Sequence, residues 1–283
     1  MSARIAQWGT EAQRRRYLPG LASGELLAAS AWSETGAGAS KKKLATTAER
    51  TPAGWVLDGA KSFTTGAGLA DVYLVLAQTE EVEDNSTSYG SAGQSFFLVD
   101  SSVEGVVADL GLDLVGMRAS ATGFVQLRQA RVPHDALFGP IGEARKVIAS
   151  VRESGVTLGA VASGVAQAAY DAAMAQASKR GLGDAQAIRH RLVDLRVQVE
   201  AARAIVERAG RRDAADPGMT TLYSKLFASA TAEQVCMQAA RLLGSGGFVA
   251  AHPVNRYLRD ARAVALMGPT DELCRELVSQ AWL

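Results

Sequence analysis

Two short segments place an aromatic side chain beside hydroxyl groups at the predicted end of a strand. Trp32 is followed by Ser33, and Phe63 is followed by Thr64 and Thr65. An aromatic ring offers a flat apolar surface, and hydroxyls offer hydrogen bonds to the polar edge of a bound planar ligand. The alternative is that both aromatics belong to a core and that the hydroxyls merely end strands. The residues alone leave both interpretations open.

The common nucleotide-binding and hydrolase motifs do not occur in the sequence. Gly36 and Gly38 precede Lys41 at the wrong spacing for a P-loop, and no GxGxxG opens a helix after a parallel strand. No GxSxG elbow or HExxH is found. Cys236 and Cys274 are isolated within apolar helical patterns. With three scattered histidines, they predict neither a disulfide framework nor a metal site.

The composition excludes some classes of partner. The 283 residues carry a formal net charge of +1, which argues against a basic face for nucleic acid. The one basic run, at residues 41–43, is interpreted as a solvated loop. No stretch of about twenty apolar residues predicts a membrane span, and residues 1–16 lack an apolar signal core, so a cytoplasmic protein is expected.

The elements that must position these residues change character near residue 140. A helix over residues 4–18, ended by Pro19 and Gly20, precedes short strand patterns between residues 25 and 138. Residues 80–94 are polar and predict an exposed hairpin loop. After Gly142, alanine-rich helical patterns continue to the end, with Thr270 capping the last helix and Asp271 and Glu272 in its first turn. The fold class is therefore α+β: an antiparallel β-sandwich or barrel over residues 25–140, then an antiparallel helical bundle over residues 141–283.

The motifs resemble, in order, those of the acyl-CoA dehydrogenase family. The resemblance covers essentially the whole chain and crosses the change from strands to helices. The matching segments are Trp8–Gln13, Tyr17–Glu25, Ala31–Gly38, Leu57–Thr65, Gly116–Ser120, Val132–Gly139, Gly164–Gln167, Arg180, Gln186, Lys225–Ser229, Gly244–Phe248 and Pro253–Asp260. Residues 1–24 then resemble the remnant of an N-terminal helical domain.

The resemblance implies an FAD-dependent oxidoreductase that removes hydrogen from the α and β carbons of an acyl thioester. Ser33 and Thr65 would donate to the isoalloxazine, with Trp32 and Phe63 packed near it. The thioester would be carried by CoA or by an acyl-carrier protein. Electrons would pass to a separate acceptor protein, and the chain would form a homo-oligomer or pair with a related subunit.

The resemblance also implies cofactor contacts within the helical part. Arg180 would reach the FAD pyrophosphate, for which a guanidinium is suited. The turn containing Gly244 and Gly246 would approach the adenosine part of FAD bound to a neighbouring subunit. The alternatives are that Arg180 compensates a helix dipole and that the turn is a helix C-cap.

The sequence departs from the family at the catalytic base. Gly268 occupies the position of the usual glutamate and cannot accept a proton. Some relatives take the base from the first long helix of the C-terminal domain, where Ser154 aligns and Glu153 lies one residue earlier. Glu153 is therefore the internal candidate, although one residue turns a helical side chain by about 100° and a solvent-facing role is the alternative.

Most of the family's N-terminal helical domain also has no counterpart in the sequence. Two hypotheses remain: a catalytic dehydrogenase subunit that works in a complex, or a non-catalytic companion or scaffold subunit that has lost the base and possibly the flavin. The departure at Gly268 favours the companion, whereas the Ser33 and Thr65 strand ends favour a flavin site.

Overall fold

The computed structural model describes residues 1–38, 41–81, 90–152 and 156–282 and places them in two separately packed units. The β unit comprises Met1–Asp113 and Arg118–Val151. The helical unit comprises Leu114–Met117 and Arg152–Leu283. Most of the predicted loop over residues 80–94 lies outside the described residues. No described helix is long and apolar enough to cross a membrane.

The β unit opens with two helices, α1 (Ser2–Trp8) and α2 (Glu11–Ser23). Thr10 begins α2 through a capping box with Gln13. The predicted end at Pro19 is wrong, because α2 continues to Ser23 and ends at Gly24 in a left-handed conformation. Pro19 removes one main-chain hydrogen bond from α2 without ending it, and Gly24 supplies the positive φ that terminates a helix readily.

In the described part of the chain, eight strands form one mixed sheet with the order β6-β7-β3-β2-β4-β5-β8, and β1 pairs with β4. The β1–β4 and β2–β4 pairs are parallel, and the other pairs are antiparallel. The strands are β1 (Ala28–Ala31), β2 (Thr47–Thr51), β3 (Gly54–Thr64), β4 (Val72–Gln78), β5 (Gln94–Asp100), β6 (Val106–Asp109), β7 (Gly123–Val132) and β8 (Leu137–Phe138). The β part of the predicted fold class is confirmed, with two parallel pairs added to the expected antiparallel ones.

The sheet curls around its inner face. Trp55 in β3 and Phe97 in β5 are separated by β2 and β4, which would place them roughly 14 Å apart in a flat sheet. Their ring centres are only 5.2 Å apart. They share an apolar inner cluster with Leu57 and Val75. The sheet therefore encloses its core in the manner expected for a sandwich or barrel, while Ile5 and Tyr17 cover its outer face in a second cluster.

Among the described residues six α-helices follow, the first almost entirely within the β unit and the other five in the helical unit. The helical part of the predicted fold class is confirmed. The six helices are α3 (Ala144–Arg152), α4 (Val156–Lys179), α5 (Gln186–Arg211), α6 (Pro217–Leu242), α7 (Pro253–Leu266) and α8 (Asp271–Trp282). Buried alanines recur along α4 at three- and four-residue spacing, at Ala162, Ala166, Ala169 and Ala173. Because alanine is small, this stripe lets α4 pack closely within a cluster that includes Ala228 and Ala232 of α6.

The start of α8 is fixed by a polar cluster. Thr270 Oγ1 accepts from Leu273 N at 3.2 Å, as predicted for the cap. The carboxylate of Asp271 binds the buried ammonium of Lys225 and accepts from Ser229 Oγ at 2.8 Å. Lys225 Nζ also donates to Ala265 O at 3.1 Å. The turn between α7 and α8, which contains Gly268, is therefore held at both ends.

A buried ion pair joins the end of β1 to β3. Lys61 Nζ lies 2.6 Å from Glu34 Oε1, and the Lys61 side chain is 0% exposed. Glu34 also accepts from Ala45 N at 2.6 Å and from Thr46 N at 3.1 Å. Burial acts to raise the pKa of Glu34, but the Lys61 charge and these hydrogen bonds leave that pKa below its ordinary value.

The same burial lowers the pKa of Lys61 to about 8, because the attraction of Glu34 offsets only part of the desolvation. Both partners are ionised at pH 7. A buried pair adds little compared with a well-packed apolar pair, whereas removing one charge leaves the other uncompensated. Each partner therefore requires the other, and together they hold residues 33 and 62 side by side.

We predict that Glu34→Gln destabilises the β unit by about 3–5 kcal/mol at pH 7, because Lys61 would stay buried without a counter-charge. Stabilisation from a lowered carboxyl pKa is present above the unfolded value of about 4.3 and is lost as the pH falls through the folded value. The difference between variant and wild type should therefore shrink below about pH 4. Urea unfolding at both pH values measures it.

The matched control is Glu49→Gln, on an exposed position of β2. This change should alter the free energy of unfolding by no more than about 0.5 kcal/mol. A Glu34→Gln protein as stable as the control at pH 7 would contradict the role assigned to the pair.

Candidate functional site

The two predicted strand ends lie next to each other in the β unit. Ser62 N donates to Ser33 O at 2.7 Å, directly beside the Glu34–Lys61 pair. The segments that carry Trp32 and Phe63 are thus brought together by one main-chain hydrogen bond and one ion pair. This junction of Ser33 with Ser62 positions the residues of the candidate site.

Phe63 faces outward from the end of β3. Its side chain is 63% exposed, so it does not belong to the core. Its φ of +51° lies in the left-handed region, which is rare for a bulky residue, and the register of β3 against β7 shifts between Lys61 and Thr64. A strained residue held in place by its surroundings is typical of functional positions. The ring is available as a flat surface for a ligand.

Trp32 has a different environment. Its ring packs in the outer cluster, 4.9 Å from the ring of Phe96, and the Arg4 guanidinium lies 4.8 Å from its centre. Most of the Trp32 ring is therefore packed like a core side chain, as in the alternative interpretation. Its Nε1 is buried and has no hydrogen-bond partner among the described residues. A bound ligand with an acceptor could supply that partner.

Thr65 begins a cluster of hydroxyls beyond β3. Thr65 Oγ1 is 3.2 Å from Thr122 Oγ1, which is 2.7 Å from Ser120 Oγ. Gly66 N donates to Ser120 O at 3.0 Å and fixes the two segments together. Ser120 ends a motif noted in the sequence, but neither it nor Thr122 was predicted as a site residue. The cluster is apparent only in the fold, where Ser120 and Thr122 lie close to Thr65.

Ser33 is bound by a lysine that the sequence did not single out. Lys41 Nζ donates to Ser33 Oγ at 2.6 Å, and Lys41 is only 7% exposed. The prediction of a solvated loop is wrong for this residue. Gln94 Nε2 donates to Lys41 O at 2.8 Å, and the φ of Lys41 is +55°, so the chain turns its side chain inward. Burial lowers the pKa of Lys41, and Glu34 offsets part of that effect.

Arg180 and the glycine turn meet within the helical unit. Arg180 follows the end of α4, is exposed, and makes no side-chain hydrogen bond or ion pair with any described residue. A Cβ added to Gly244 would lie 3.9 Å from Arg180 Nη1. Gly244 has a φ of +61° just after α6, so its conformation also suits a helix terminus. A Cβ on Gly246 would meet nothing within 4 Å, whereas one on Gly247 would lie 2.1 Å from Ala240 O.

Of the positions considered for the base, Gly268 and Asp271 lie within the described residues. Glu153 and Ser154 lie outside the described residues. Gly268 follows α7, and a Cβ added there would meet no described atom within 4 Å. Asp271 is bound to Lys225 and Ser229 and is not free to accept a proton from a substrate. Among the described residues, no group of three or more His, Cys, Asp or Glu side chains could hold a metal ion.

The β-unit residues fit the ring of a flavin. The exposed ring of Phe63 gives an apolar surface, Ser33 and Thr65 give hydroxyls, and Trp32 Nε1 is a buried donor that no described residue binds. In the helical unit, the Arg180 guanidinium, which pairs with no described side chain, lies beside the Gly244 backbone and suits a diphosphate.

Comparisons with known proteins agree with the motifs. The family model for the acyl-CoA dehydrogenase middle domain matches residues 29–130, and the model for the C-terminal domain matches residues 146–283. A probable acyl-CoA dehydrogenase of Mycobacterium tuberculosis is 32% identical over 284 residues, which covers 97% of this chain and 72% of that protein.

Solved structures of the same fold cover the whole described chain. Butyryl-CoA dehydrogenase from Megasphaera elsdenii matches with a TM-score of 0.92 and 28% identity, over 99% of this chain and 74% of that one. A structure described as an FAD-dependent dehydrogenase matches with a TM-score of 0.89 and 29% identity, over 99% of this chain and 76% of that one. The two family models and the Mycobacterium tuberculosis relative together show that the chain belongs to the acyl-CoA dehydrogenase family.

Proposed function

We propose that this chain is an FAD-dependent acyl-CoA dehydrogenase subunit that desaturates an acyl thioester between its α and β carbons. The observation that carries the proposal is the junction of Ser33 with Ser62, which sets the exposed Phe63 ring beside hydroxyls at the ends of two strands. Family membership supports FAD as the cofactor, since a similar structure is an FAD-dependent dehydrogenase.

Each residue has a distinct part in holding the cofactor. When bound, the flavin would accept the hydride lost by the β carbon. Phe63 would pack against the ring, while Ser33 and Thr65 would donate to its polar edge. Within the helical unit, taken by itself, Arg180 would bind a pyrophosphate, and the backbone at Gly244 would approach the adenosine part of FAD in a neighbouring subunit.

The α proton of the thioester must pass to a base. Glu153 is the internal candidate, and the alternative is a carboxylate of a partner subunit. Because Gly268 cannot accept a proton, the second candidate function is that of a non-catalytic companion subunit. The similar proteins are named as dehydrogenases, and this favours the catalytic reading. The substrate would be an acyl-CoA or an acyl-carrier thioester, and electrons would leave to an acceptor protein.

The helical unit also supports assembly into an oligomer. Val193 and Val197 lie four residues apart on α5 and are 59% and 61% exposed. Residues at this spacing share one face of a helix, and such apolar faces mark interfaces more often than scattered residues do. We therefore propose at least a dimer, either of this chain or with a related subunit.

We predict that Thr65→Val weakens the binding of oxidised FAD about fivefold, because one hydrogen bond worth about 1 kcal/mol is lost. Titration of the apoprotein with FAD, followed by the visible absorption of bound flavin, measures the dissociation constant. Thr47→Val, on an exposed position of β2, is the matched control and should bind FAD like the wild type. A colourless protein that ignores added FAD, alone and with its partner, would refute the flavin site.

We predict that Glu153→Gln lowers the rate of acyl-CoA oxidation about 10²–10⁴-fold, because a positioned base typically contributes that much. The rate is measured with an artificial electron acceptor on FAD-loaded protein. Adding Gly268→Glu to that variant should restore part of the rate, since the position has room for a side chain. Gly268→Gln on the same background should restore nothing.

Full activity of Glu153→Gln would show that this residue is not the base. If activity then disappears when a carboxylate of the partner subunit is replaced, the chain is a companion subunit. No activity in any assembly, with FAD bound, would contradict the proposed reaction.

We predict that light scattering shows the wild-type protein as an oligomer at micromolar concentration. The double variant Val193→Asp and Val197→Asp should form smaller species. Charges on this face would disfavour burial against another subunit. A stable monomer of the wild type would contradict this proposal.

A further inference from the structure

Lys41 is a buried cation without a counter-ion in the described chain. Its Nζ is 2.6 Å from Ser33 Oγ, and no described carboxylate oxygen lies within 4 Å of it. The nearby Glu34 carboxylate is already bound by Lys61 and by two main-chain N–H groups. A buried ammonium with a single neutral acceptor is costly, and such groups usually serve a function.

The contact dictates the direction of the Ser33 hydroxyl. An ammonium has only donors, so Ser33 Oγ must be the acceptor. The hydroxyl proton of Ser33 therefore points elsewhere, and it has no acceptor among the described residues. A hydroxyl that accepts from a cation is polarised, and it becomes a stronger donor to a third group.

We infer that Lys41 is a positioning residue that aims the Ser33 hydroxyl at the flavin ring and stabilises the reduced flavin. This inference rests on the proposed function. Hydride transfer would break the β C–H bond of the acyl chain and bring one proton and two electrons to the flavin, which would gain one negative charge. The α proton goes to the base. Only the Ser33 hydroxyl would separate the Lys41 ammonium from the flavin, in a site with little water. The positive charge of Lys41 would therefore favour the negatively charged reduced flavin.

The main chain at residue 41 does not depend on the ammonium. Gln94 Nε2 binds Lys41 O, and this hydrogen bond holds the turn whatever the side chain is. Lys41→Met should therefore keep the fold while removing both the charge and the hydrogen bond to Ser33. Lys41→Gln keeps a neutral donor, and Lys41→Arg keeps the charge.

The test is the midpoint potential of bound flavin, measured by spectroelectrochemical titration of FAD-loaded wild type and variants. Lys41→Met should lower the equilibrium ratio of reduced to oxidised flavin at least tenfold. For a two-electron couple, this corresponds to a fall of about 30 mV in the midpoint potential. Lys41→Arg should restore most of the potential, and Lys41→Gln should not. Lys43→Met, two residues away and exposed, is the matched control and should keep the wild-type potential.

A double-variant comparison tests whether Lys41 acts through Ser33. On a Ser33→Ala background, Lys41→Met should shift the potential less than on the wild type. An undiminished shift would overturn the route through the hydroxyl. Flavin-loaded Lys41→Met or Lys41→Gln with the wild-type potential would overturn the inference and leave the proposed function intact. A wild-type protein that binds no flavin would overturn both, and the absorption spectrum distinguishes the two failures.

Discussion

The buried pair of Glu34 and Lys61 is the constraint on which the candidate site depends. It joins the end of β1 to β3 across 27 residues of sequence, and the carboxylate also fixes the main chain at residues 45 and 46. Because neither charge can be left alone in the interior, the strand ends have one stable arrangement. That arrangement sets Ser33 against Ser62 and leaves Phe63 facing outward.

The local strain around this junction is consistent with such a rigid support. Phe63 and Lys41 both have left-handed backbones, at φ values of +51° and +55°. Each such conformation costs of order 1–3 kcal/mol and persists only where the surroundings determine it. The ion pair, the β3–β7 ladder and the Gln94 side chain supply those surroundings. The result is an exposed aromatic ring and a polarised hydroxyl in fixed positions, which a flat cofactor with a polar edge can use without reorganisation.

The sequence predicted the family, the β-to-helix order and the Thr270 cap, because these depend on motif order, periodicity and local capping. It could not separate Trp32 from Phe63, since both are aromatics beside hydroxyls and only the packing shows which one is exposed. Lys41 was missed for a related reason, because it is identical in type to Lys42 and Lys43. The parallel β1–β4 pairing joins segments far apart in the chain, and periodicity carries no information about such partners.

The central claim is that the strand ends of the β unit bind the flavin ring. An experimental structure of the FAD-loaded protein tests it most directly. We expect the isoalloxazine to lie against the Phe63 ring, with its polar edge within about 3.2 Å of Ser33 Oγ and Thr65 Oγ1. A ring that lies away from Phe63, with both hydroxyls out of hydrogen-bond reach, would contradict it.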